Sequence, residues 1–346
     1  MQLSLSIPVS FSKEAYDYGS RSDGGTHGLV LTKPHVVELI LDLAGYASDL
    51  DLASRTLLEP SCGHGAFLVP AAERLLRSAR AHGKCPADLG TAIAAFDIEP
   101  LHVERTREAL VATLQQHDVG RKIATGLAEQ WVRQGDFLLA PLQRAFDCVV
   151  GNPPYIRIEQ LSPEIQAEYR RRYSTLFDRA DLYVAFIERS LSLLSPNGVL
   201  SFVCADRWTL NRYGAPLRKL ITSRHEVRTY IDLHQASPFE SEVIAYPSIF
   251  AISRERTGTP VRVFTLATAS PAECATVRDV EQGKDSRHVG VASASCETWF
   301  EVSAAPTPSI VSPLEAAECS DGIQPDTLAR ARPLSSPWPA VPAAGP

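Results

Sequence analysis

Short apolar runs alternate with amphipathic stretches over most of the first 266 residues. The apolar runs are rich in β-branched residues and predict buried strands, whereas the 3.6-residue period between them predicts helices. Strands separated by helices predict an α/β fold with a doubly wound, mostly parallel, seven-stranded sheet. The predicted strands lie near residues 56–59, 91–97, 131–138, 146–150, 199–206, 227–234 and 241–253, with an eighth candidate at 261–266.

The pattern also divides the chain. Residues 1–25 are polar and predict a flexible N-terminal arm, and residues 26–267 predict one large domain. The periodicity fades over 268–302, which we expect to be a partial or linker segment. Nine of the 44 residues in 303–346 are proline, so this part predicts a disordered tail.

Composition restricts the class of protein. No apolar run approaches the about 18 residues of a membrane span, and the N-terminus lacks a signal-peptide pattern. The seven cysteines form no CxxC and no Cys/His cluster. We therefore expect a cytoplasmic protein with no membrane partner and no metal. The net charge of −6 leaves nucleic acid open as a partner, because binding depends on local basic faces.

One stretch combines a strand with a rigid loop. Phe146–Val150 is apolar, and Gly151-Asn152-Pro153-Pro154-Tyr155 follows it directly. The two prolines lack N–H groups and cannot continue a strand. The stretch therefore places an amide, a carbonyl and an aromatic ring at the carboxyl end of a strand, where open α/β sheets bind ligands.

A second stretch predicts a cofactor site. Glu59–Gly65 (EPSCGHG) is a strand–turn–helix segment that lacks the G-x-G-x-x-G and P-loop patterns. Asp97 ends the next strand and is placed to accept from ribose hydroxyls, while Asp136-Phe137 ends the third and could hold adenine. Together they suit a nucleoside cofactor without a diphosphate, although a packed strand–helix turn explains the same residues.

The order of these segments resembles the N6-adenine DNA methyltransferases of restriction–modification systems. Leu58–Phe67, Asp97, Gly135-Asp136 and Asn152–Tyr155 follow a Thr-x-Pro-like segment at Thr32, as in the gamma arrangement. The resemblance implies a class I S-adenosylmethionine-dependent methyltransferase fold of Rossmann-like type over residues 26–267. It also implies S-adenosylmethionine as the cofactor and double-stranded DNA as the partner.

The resemblance further implies the site residues. The cofactor residues would be Thr32, Glu59, Pro60, Ser61, Cys62, Gly63, Gly65, Phe67, Asp97, Ile98, Asp136, Phe137 and Asn152. The catalytic residues would be Asn152, Pro153, Pro154 and Tyr155, because the Asn152 side-chain oxygen and the Pro153 carbonyl can accept from an adenine amine. Tyr155 and Phe239 would stack on the flipped base, although Phe239 could equally be a core residue.

Basic residues follow the Asn-Pro-Pro-Tyr loop in an Arg-rich insertion at 156–180. They are candidates for DNA phosphate contacts, and a solvated helix face explains them as well. The five are Arg157, Arg170, Arg171, Arg172 and Arg179.

The chain departs from the gamma pattern after the last predicted strand, where a sizeable target-recognition domain would be expected. We therefore expect that domain to be missing or truncated. Three explanations stay open: another chain, such as a separate specificity subunit, supplies recognition; the reading frame is truncated; or the insertion at 156–180 does more than usual. A cognate restriction endonuclease is a further candidate partner. Two alternatives stay open: a protein-glutamine or RNA methyltransferase with the same chemistry, and an inactive remnant that only binds cofactor or a partner.

Overall fold

The structure is a computed structural model that describes residues 30–241 and 246–284, together with the backbone of 290–293 and 301–302. The predicted arm at 1–25 and tail at 303–346 lie outside the described residues. The helices are α1 (Pro34–Leu43), α2 (Leu68–Ala81), α3 (Pro100–Gln116), α4 (Arg121–Trp131), α5 (Pro163–Arg172), α6 (Tyr183–Ser192), α7 (Arg207–Leu210), α8 (Ala215–Arg224) and α9 (Pro271–Glu281). The strands are β1 (Leu57–Glu59), β2 (Ile93–Asp97), β3 (Val132–Gln134), β4 (Phe146–Gly151), β5 (Leu194–Ala205), β6 (Glu226–Asp232), β7 (Pro247–Ser253), β8 (Val261–Thr265), β9 (Gly290–Ser293) and β10 (Glu301–Val302).

All described strands form one sheet in the order β10-β9-β8-β6-β7-β5-β4-β1-β2-β3. The seven predicted strands make the contiguous part from β6 to β3, and β8 to β10 extend it beyond β6. The pairs β2–β3, β1–β2, β1–β4, β4–β5 and β6–β8 are parallel, whereas β7 runs antiparallel to β5 and β6. The predicted α/β class with a mostly parallel sheet is confirmed. Strand β8 corresponds to the eighth candidate at 261–266, and β9 and β10 are the two described strands that were not predicted.

Helices cover both faces of this sheet. One apolar cluster packs α1, α2, α3, α4 and α9 against one face, and a second packs α5, α6 and α8 against the other. Strand β4 serves both, since Cys148 and Val150 point into the first cluster and Val149 into the second. A central strand buried on both faces explains why its sequence is continuously apolar.

Glycine closes β4 for a conformational reason. Gly151 has φ +149, a backbone region that side-chain-bearing residues rarely adopt. It pairs with Phe202 of β5 and directs the following Asn-Pro-Pro loop out of the carboxyl edge. The carboxyl ends of β1 and β2 open at the same edge.

The segment before α1 and helix α9, which follows residue 267, both contact the rest of the fold. Thr32 forms an antiparallel bridge with Phe239, while Lys33 occupies the N-cap of α1. Helix α9 lies within 268–302 and contributes Cys274 and Val277 to the first cluster. No helix of the described residues is long and apolar enough to cross a membrane.

Candidate active site at the carboxyl edge of the sheet

A cavity of about 960 Å³, counting the part open to solvent, lies at the carboxyl ends of β1, β2 and β4. It brings together most of the residues that the sequence predicted for the site. Those that line it are Thr32, Glu59, Pro60, Ser61, Cys62, Gly63, Phe67, Asp97, Ile98, Asp136, Phe137, Asn152, Pro153, Pro154 and Tyr155. Gly65, Phe239 and the five arginines of the insertion lie outside this lining.

Gly65 shapes the turn that follows β1. Its φ of +84 favours glycine, and a Cβ there would approach the Thr106 methyl group to 3.2 Å. The Thr106 hydroxyl donates to the Gly63 carbonyl at 2.8 Å, and the Gly65 amide donates to the Cys62 carbonyl at 2.8 Å. Gly65 therefore fixes the turn that Gly63 and Cys62 present to the cavity.

Both carboxylate oxygens of Asp97 are engaged at the end of β2. Oδ2 accepts from the Gly63 amide at 2.8 Å. Oδ1 accepts from the Glu99 amide at 2.9 Å and faces the His102 Nδ1 atom at 3.2 Å. The hydrogen bond with Asp97 raises the pKa of His102 above its ordinary value. Asp97 thus ties the glycine turn to α3.

Glu59 is the most enclosed acid of the cavity. It is fully buried, and its Oε2 atom has no hydrogen-bond partner among the described residues. Burial and, second, the charge of Asp97 raise its pKa well above the ordinary value. A cation or donor that entered the cavity would give this oxygen the partner it lacks.

The loop after β3 is held by the insertion. Asp136 Oδ2 accepts from the Tyr169 hydroxyl of α5 at 2.8 Å, and Oδ1 accepts from the Leu138 amide at 2.8 Å. The Phe137 ring lies 5.4 Å from the Phe186 ring of α6. Tyr169 and Phe186 line the cavity but were not predicted as site residues, as is also true of His64, Glu99 and His102.

Asn152 presents an unused acceptor. Its Nδ2 atom donates to the Val30 carbonyl at 3.0 Å and lies 3.5 Å from the Thr32 hydroxyl. Because a carbonyl only accepts, this contact fixes which way the amide points. The Oδ1 atom is buried and has no hydrogen-bond partner among the described residues.

Aromatic rings surround the end of this loop. The Tyr155 ring lies 6.2 Å from Phe239 at an interplanar angle of 84° and 6.3 Å from Tyr183 at 60°. Burial raises the pKa of the Tyr155 phenol. Phe239 is only 3% exposed and packs in the first apolar cluster. In this arrangement Tyr155 and Phe239 meet edge to face and form no parallel sandwich.

The five arginines of the insertion lie on the surface, and four of them bind groups of their own segment. Arg171 and Arg172 share Glu168 at 2.8 and 2.5 Å, and these hydrogen-bonded cations lower the pKa of that carboxyl to about 2. Arg179 pairs with Glu159 at 3.1 Å, and Arg170 donates to the Asp178 carbonyl at 2.8 Å. Arg157 is also exposed.

Comparison with known proteins shows what this part of the chain is similar to. Residues 92–239, which contain β2 to β6 and the Asn-Pro-Pro-Tyr loop, match the family model described as Eco57I restriction-modification methylase. This matched part, less than half of the chain, is similar to the restriction–modification methylases of the Eco57I type. Among curated relatives of this methylase domain, the Type II methyltransferase M.PaeR7I of Pseudomonas aeruginosa is 48% identical over 256 residues, which cover 72% of this chain and 44% of the relative.

Two further comparisons agree with the methylase domain. The Type II methyltransferase M.XhoI of Xanthomonas vasicola is 46% identical over 233 residues, 66% of this chain and 43% of the relative. The chain therefore spans less than half the length of these curated relatives. A Listeria monocytogenes protein described as a class I S-adenosylmethionine-dependent methyltransferase superposes with a TM-score of 0.53 at 15% identity, over 76% of this chain and 74% of that one. This likeness confirms the predicted class I methyltransferase fold.

Proposed function

We propose that the chain transfers a methyl group from S-adenosylmethionine to N6 of an adenine flipped out of double-stranded DNA, as part of a restriction–modification system. The observation that carries the proposal is the buried, unpartnered Oδ1 atom of Asn152 beside the cavity. An acceptor with no partner in the protein suits a substrate that brings its own N–H group.

The cavity suits S-adenosylmethionine in charge. Four carboxyl groups line it, those of Glu59, Asp97, Glu99 and Asp136, and no lysine or arginine is among the lining residues. The cofactor would supply an electrophilic methyl group on a sulfonium. Glu59 and the glycine turn would hold its amino-acid end, Asp97 its ribose, and Asp136 with Phe137 its adenine.

Asn152 and Pro153 would position the amine of the base. The lone pair of an exocyclic adenine amine is delocalised into the ring, which makes the amine a weak nucleophile. Two acceptors aimed at its two N–H bonds, Asn152 Oδ1 and the Pro153 carbonyl, favour a pyramidal nitrogen with a localised lone pair. Neither acceptor has to ionise, so this contribution is positioning and electrostatic stabilisation.

Tyr155 would hold the ring of the flipped base by stacking, a contact worth about 1–3 kcal/mol. Phe239 would complete the base pocket, and the edge-to-face geometry of the two rings means that one ring would turn to admit a base between them. In the free protein the two rings contact each other edge to face, with their centroids 6.2 Å apart.

The test is transfer of tritium from labelled S-adenosylmethionine to unmethylated genomic DNA. We expect label at N6 of adenine, and we expect Asn152→Ala to lower the transfer rate by about 100-fold or more while cofactor binding persists. Gln160→Ala, on the exposed surface of the following segment, serves as the matched control and should transfer normally.

Other distributions of the label would contradict the proposal. Label in protein or RNA and none in DNA would favour the protein-glutamine or RNA methyltransferase alternative. Cofactor binding with no transfer at all would favour a remnant that binds without turnover. A near-normal rate in Asn152→Ala would remove the acceptor role of Asn152.

A further inference from the structure

The charged side chains of the segment from Arg207 to His225 are all cationic. It contains Arg207, Arg212, Arg218, Lys219 and Arg224, and it has no aspartate or glutamate. The Arg-rich insertion at 156–180, in contrast, contains Glu159, Glu164, Glu168 and Asp178. The first part of this cationic segment is loop 207–214, which consists of α7 and the residues up to Gly214.

Loop 207–214 leaves the sheet beside the Asn-Pro-Pro-Tyr loop. It follows β5, which runs parallel to β4, so both loops emerge at the same carboxyl edge. The Tyr213 hydroxyl lies 2.7 Å from the Tyr183 hydroxyl, and the Tyr183 ring is 6.3 Å from the Tyr155 ring. The loop is therefore connected to the proposed base pocket through two side chains.

The backbone of the loop is held in place from below. Buried Arg218 donates to the carbonyls of Trp208 and Asn211 at 2.7 and 3.0 Å. Gly214 lies so close to Trp208 that an added Cβ would be 1.8 Å from the Trp208 carbonyl oxygen. A surface fixed in this way can bind a partner without an ordering cost in its backbone.

Among the side chains of the loop, Leu210 and Arg212 are exposed and Arg207 is half-buried. Leu210 is 76% exposed. Arg207 and Arg212 make no ion pair with any described residue. The Arg212 guanidinium lies 5.9 Å from the centre of the Phe177 ring, and Phe177 is 44% exposed. Arg207 and Arg212 are thus among the arginines at this edge that have no ion pair with a described residue, as is the exposed Arg157, whereas the other four arginines of the insertion bind their own segment.

We propose that loop 207–214 is a DNA-docking surface, with Arg207 and Arg212 on backbone phosphates and Leu210 between them against the sugars and base edges of the duplex. This inference rests on the proposed function, because it takes DNA as the substrate. A polyanion is the partner that two unpaired arginines beside a base pocket fit by charge, and an exposed apolar side chain suits the contacts that hold a duplex open at a flipped base.

The test uses the full chain and a fluorescein-labelled, mixed-sequence duplex of about 30 base pairs, with binding measured by anisotropy over a range of KCl concentrations. Each phosphate contact contributes about 0.9 to the slope of log Kd against log salt. We expect Arg207→Gln and Arg212→Gln each to reduce the slope by about 0.9. Arg171→Gln, which removes a charge paired with Glu168, is the matched control and should leave the slope unchanged.

Leu210→Glu tests the position of the loop, because it removes the apolar side chain and adds a negative charge that a nearby phosphate backbone would repel. We expect it to weaken duplex binding by about ten-fold or more, without a change in the thermal unfolding midpoint, because the side chain is exposed. Leu50→Glu adds the same charge at a leucine that is 37% exposed before β1, at the opposite edge of the sheet, and should bind as the unaltered chain does.

The outcomes separate this inference from the proposed function. A chain that methylates DNA yet keeps its salt slope in both arginine variants overturns the docking surface alone. A reduced slope in Arg171→Gln with normal slopes in the loop variants would assign the contacts to the insertion instead. A chain that binds no duplex and transfers no methyl group to DNA overturns both.

Discussion

At the residue scale, one backbone carbonyl determines what Asn152 can do. With Nδ2 bound to the Val30 carbonyl, rotation of the amide by 180° would place two oxygens against each other. The same contact therefore leaves Oδ1 as the group that faces a ligand. An amide held in this way is preorganised, and preorganised dipoles stabilise a transition state without reorganisation during the reaction.

Glu59 gives a pH-dependent prediction at this scale. Its pKa in the folded protein is raised by burial, so the folded state retains a proton that the unfolded state loses near pH 4.5. The penalty to folding, which is a loss of unfolding free energy, therefore begins as the pH rises past the pKa of Glu59 in the unfolded state. It grows until the pH reaches the pKa of Glu59 in the folded state. Glu59→Gln should remove it, so the cofactor-free variant should be more stable than the unaltered chain at pH 8, with little difference at pH 4.

Scanning calorimetry at the two pH values, with and without S-adenosylmethionine, measures this effect. The midpoint should rise by about 2–4 °C for each kcal/mol recovered, while the additional stabilisation by cofactor should shrink. Glu99→Gln, at a half-buried acid of the same cavity, should leave the midpoint nearly unchanged. A Glu59→Gln variant that is less stable at pH 8 would mean that the carboxylate has a stabilising partner.

The sequence predicted the cavity residues that belong to contiguous motifs and missed those that arrive from elsewhere. Asn152 and Glu59 could be found because a strand and a turn precede them directly. Tyr169 could not, since its contact with Asp136 joins residues 33 positions apart. The pairing of Arg171 with Glu168 was in principle visible as an i, i+3 pair, and it explains why an Arg-rich segment is not a free basic face.

At the element scale, helix α5 acts as a support for the loop after β3. Tyr169 donates to Asp136, and the Tyr173 hydroxyl, just after the helix, donates to the Leu138 carbonyl. Arg189 of α6 donates to the same carbonyl at 2.8 Å. The insertion is thus part of the wall of the proposed adenine subsite, a role different from the DNA contacts considered for its arginines.

Tyr169→Phe should therefore affect the cofactor and not the chemical step. A hydrogen bond to a charged group contributes about 1.5–3 kcal/mol, so we expect KM for S-adenosylmethionine to rise roughly ten-fold with kcat nearly unchanged. Steady-state kinetics at saturating DNA measure both. Gln166→Ala on the same helix, where the amide binds the Leu161 carbonyl, is the control, and an equal fall of kcat would assign Tyr169 to catalysis.

Helix-capping residues in the sequence could have identified two further helices, α5 and α9. The helix α9 begins with a capping box, in which Ser270 and Glu273 bind each other's backbone amides, and this S-x-x-E pattern can be read from the sequence. Helix α5 likewise begins with Ser162 as its N-cap and Pro163 in the first turn. Neither segment was predicted as a helix, because its apolar positions are few. Capping residues can therefore be more informative than hydrophobic periodicity.

At the scale of the whole molecule, an ion-pair network joins three helices that are distant in sequence. Asp42 of α1 accepts from Arg74 of α2 at 2.7 Å and pairs with Arg278 of α9. Arg74 is buried and also pairs with Glu38. The network ties the segment after residue 267 to the first helix of the fold.

Asp42→Ala should destabilise the protein by about 2–4 kcal/mol, because it leaves buried Arg74 with one partner fewer. Urea denaturation followed by far-ultraviolet circular dichroism measures the change. Asp51→Ala, which breaks a more exposed pair with Lys84 at 3.4 Å, should cost less than about 1 kcal/mol. Equal losses in the two variants would mean that burial of the network does not matter.

The alternation of strands and helices predicted the α/β architecture, but it did not predict the order of the strands in the sheet. β7 is inserted antiparallel between β5 and β6, and its sequence, with all seven residues buried, looks like that of a parallel strand. Direction is decided by pairing with strands elsewhere in the chain, so a local pattern cannot contain it. The directions of β9 and β10 likewise could not be predicted from their own residues.

The bridge between Thr32 and Phe239 has a consequence for the newly made protein. Val30, which orients Asn152, belongs to a segment that is held by Pro238 and Glu240 through backbone hydrogen bonds of 2.9 Å. At a synthesis rate of about 5–20 residues per second, roughly 10–40 s separate the synthesis of Thr32 from the synthesis of Phe239. A nascent chain therefore has its Asn-Pro-Pro-Tyr loop long before it has a closed pocket, and it gains its proposed activity only after the ribosome has passed the sixth strand.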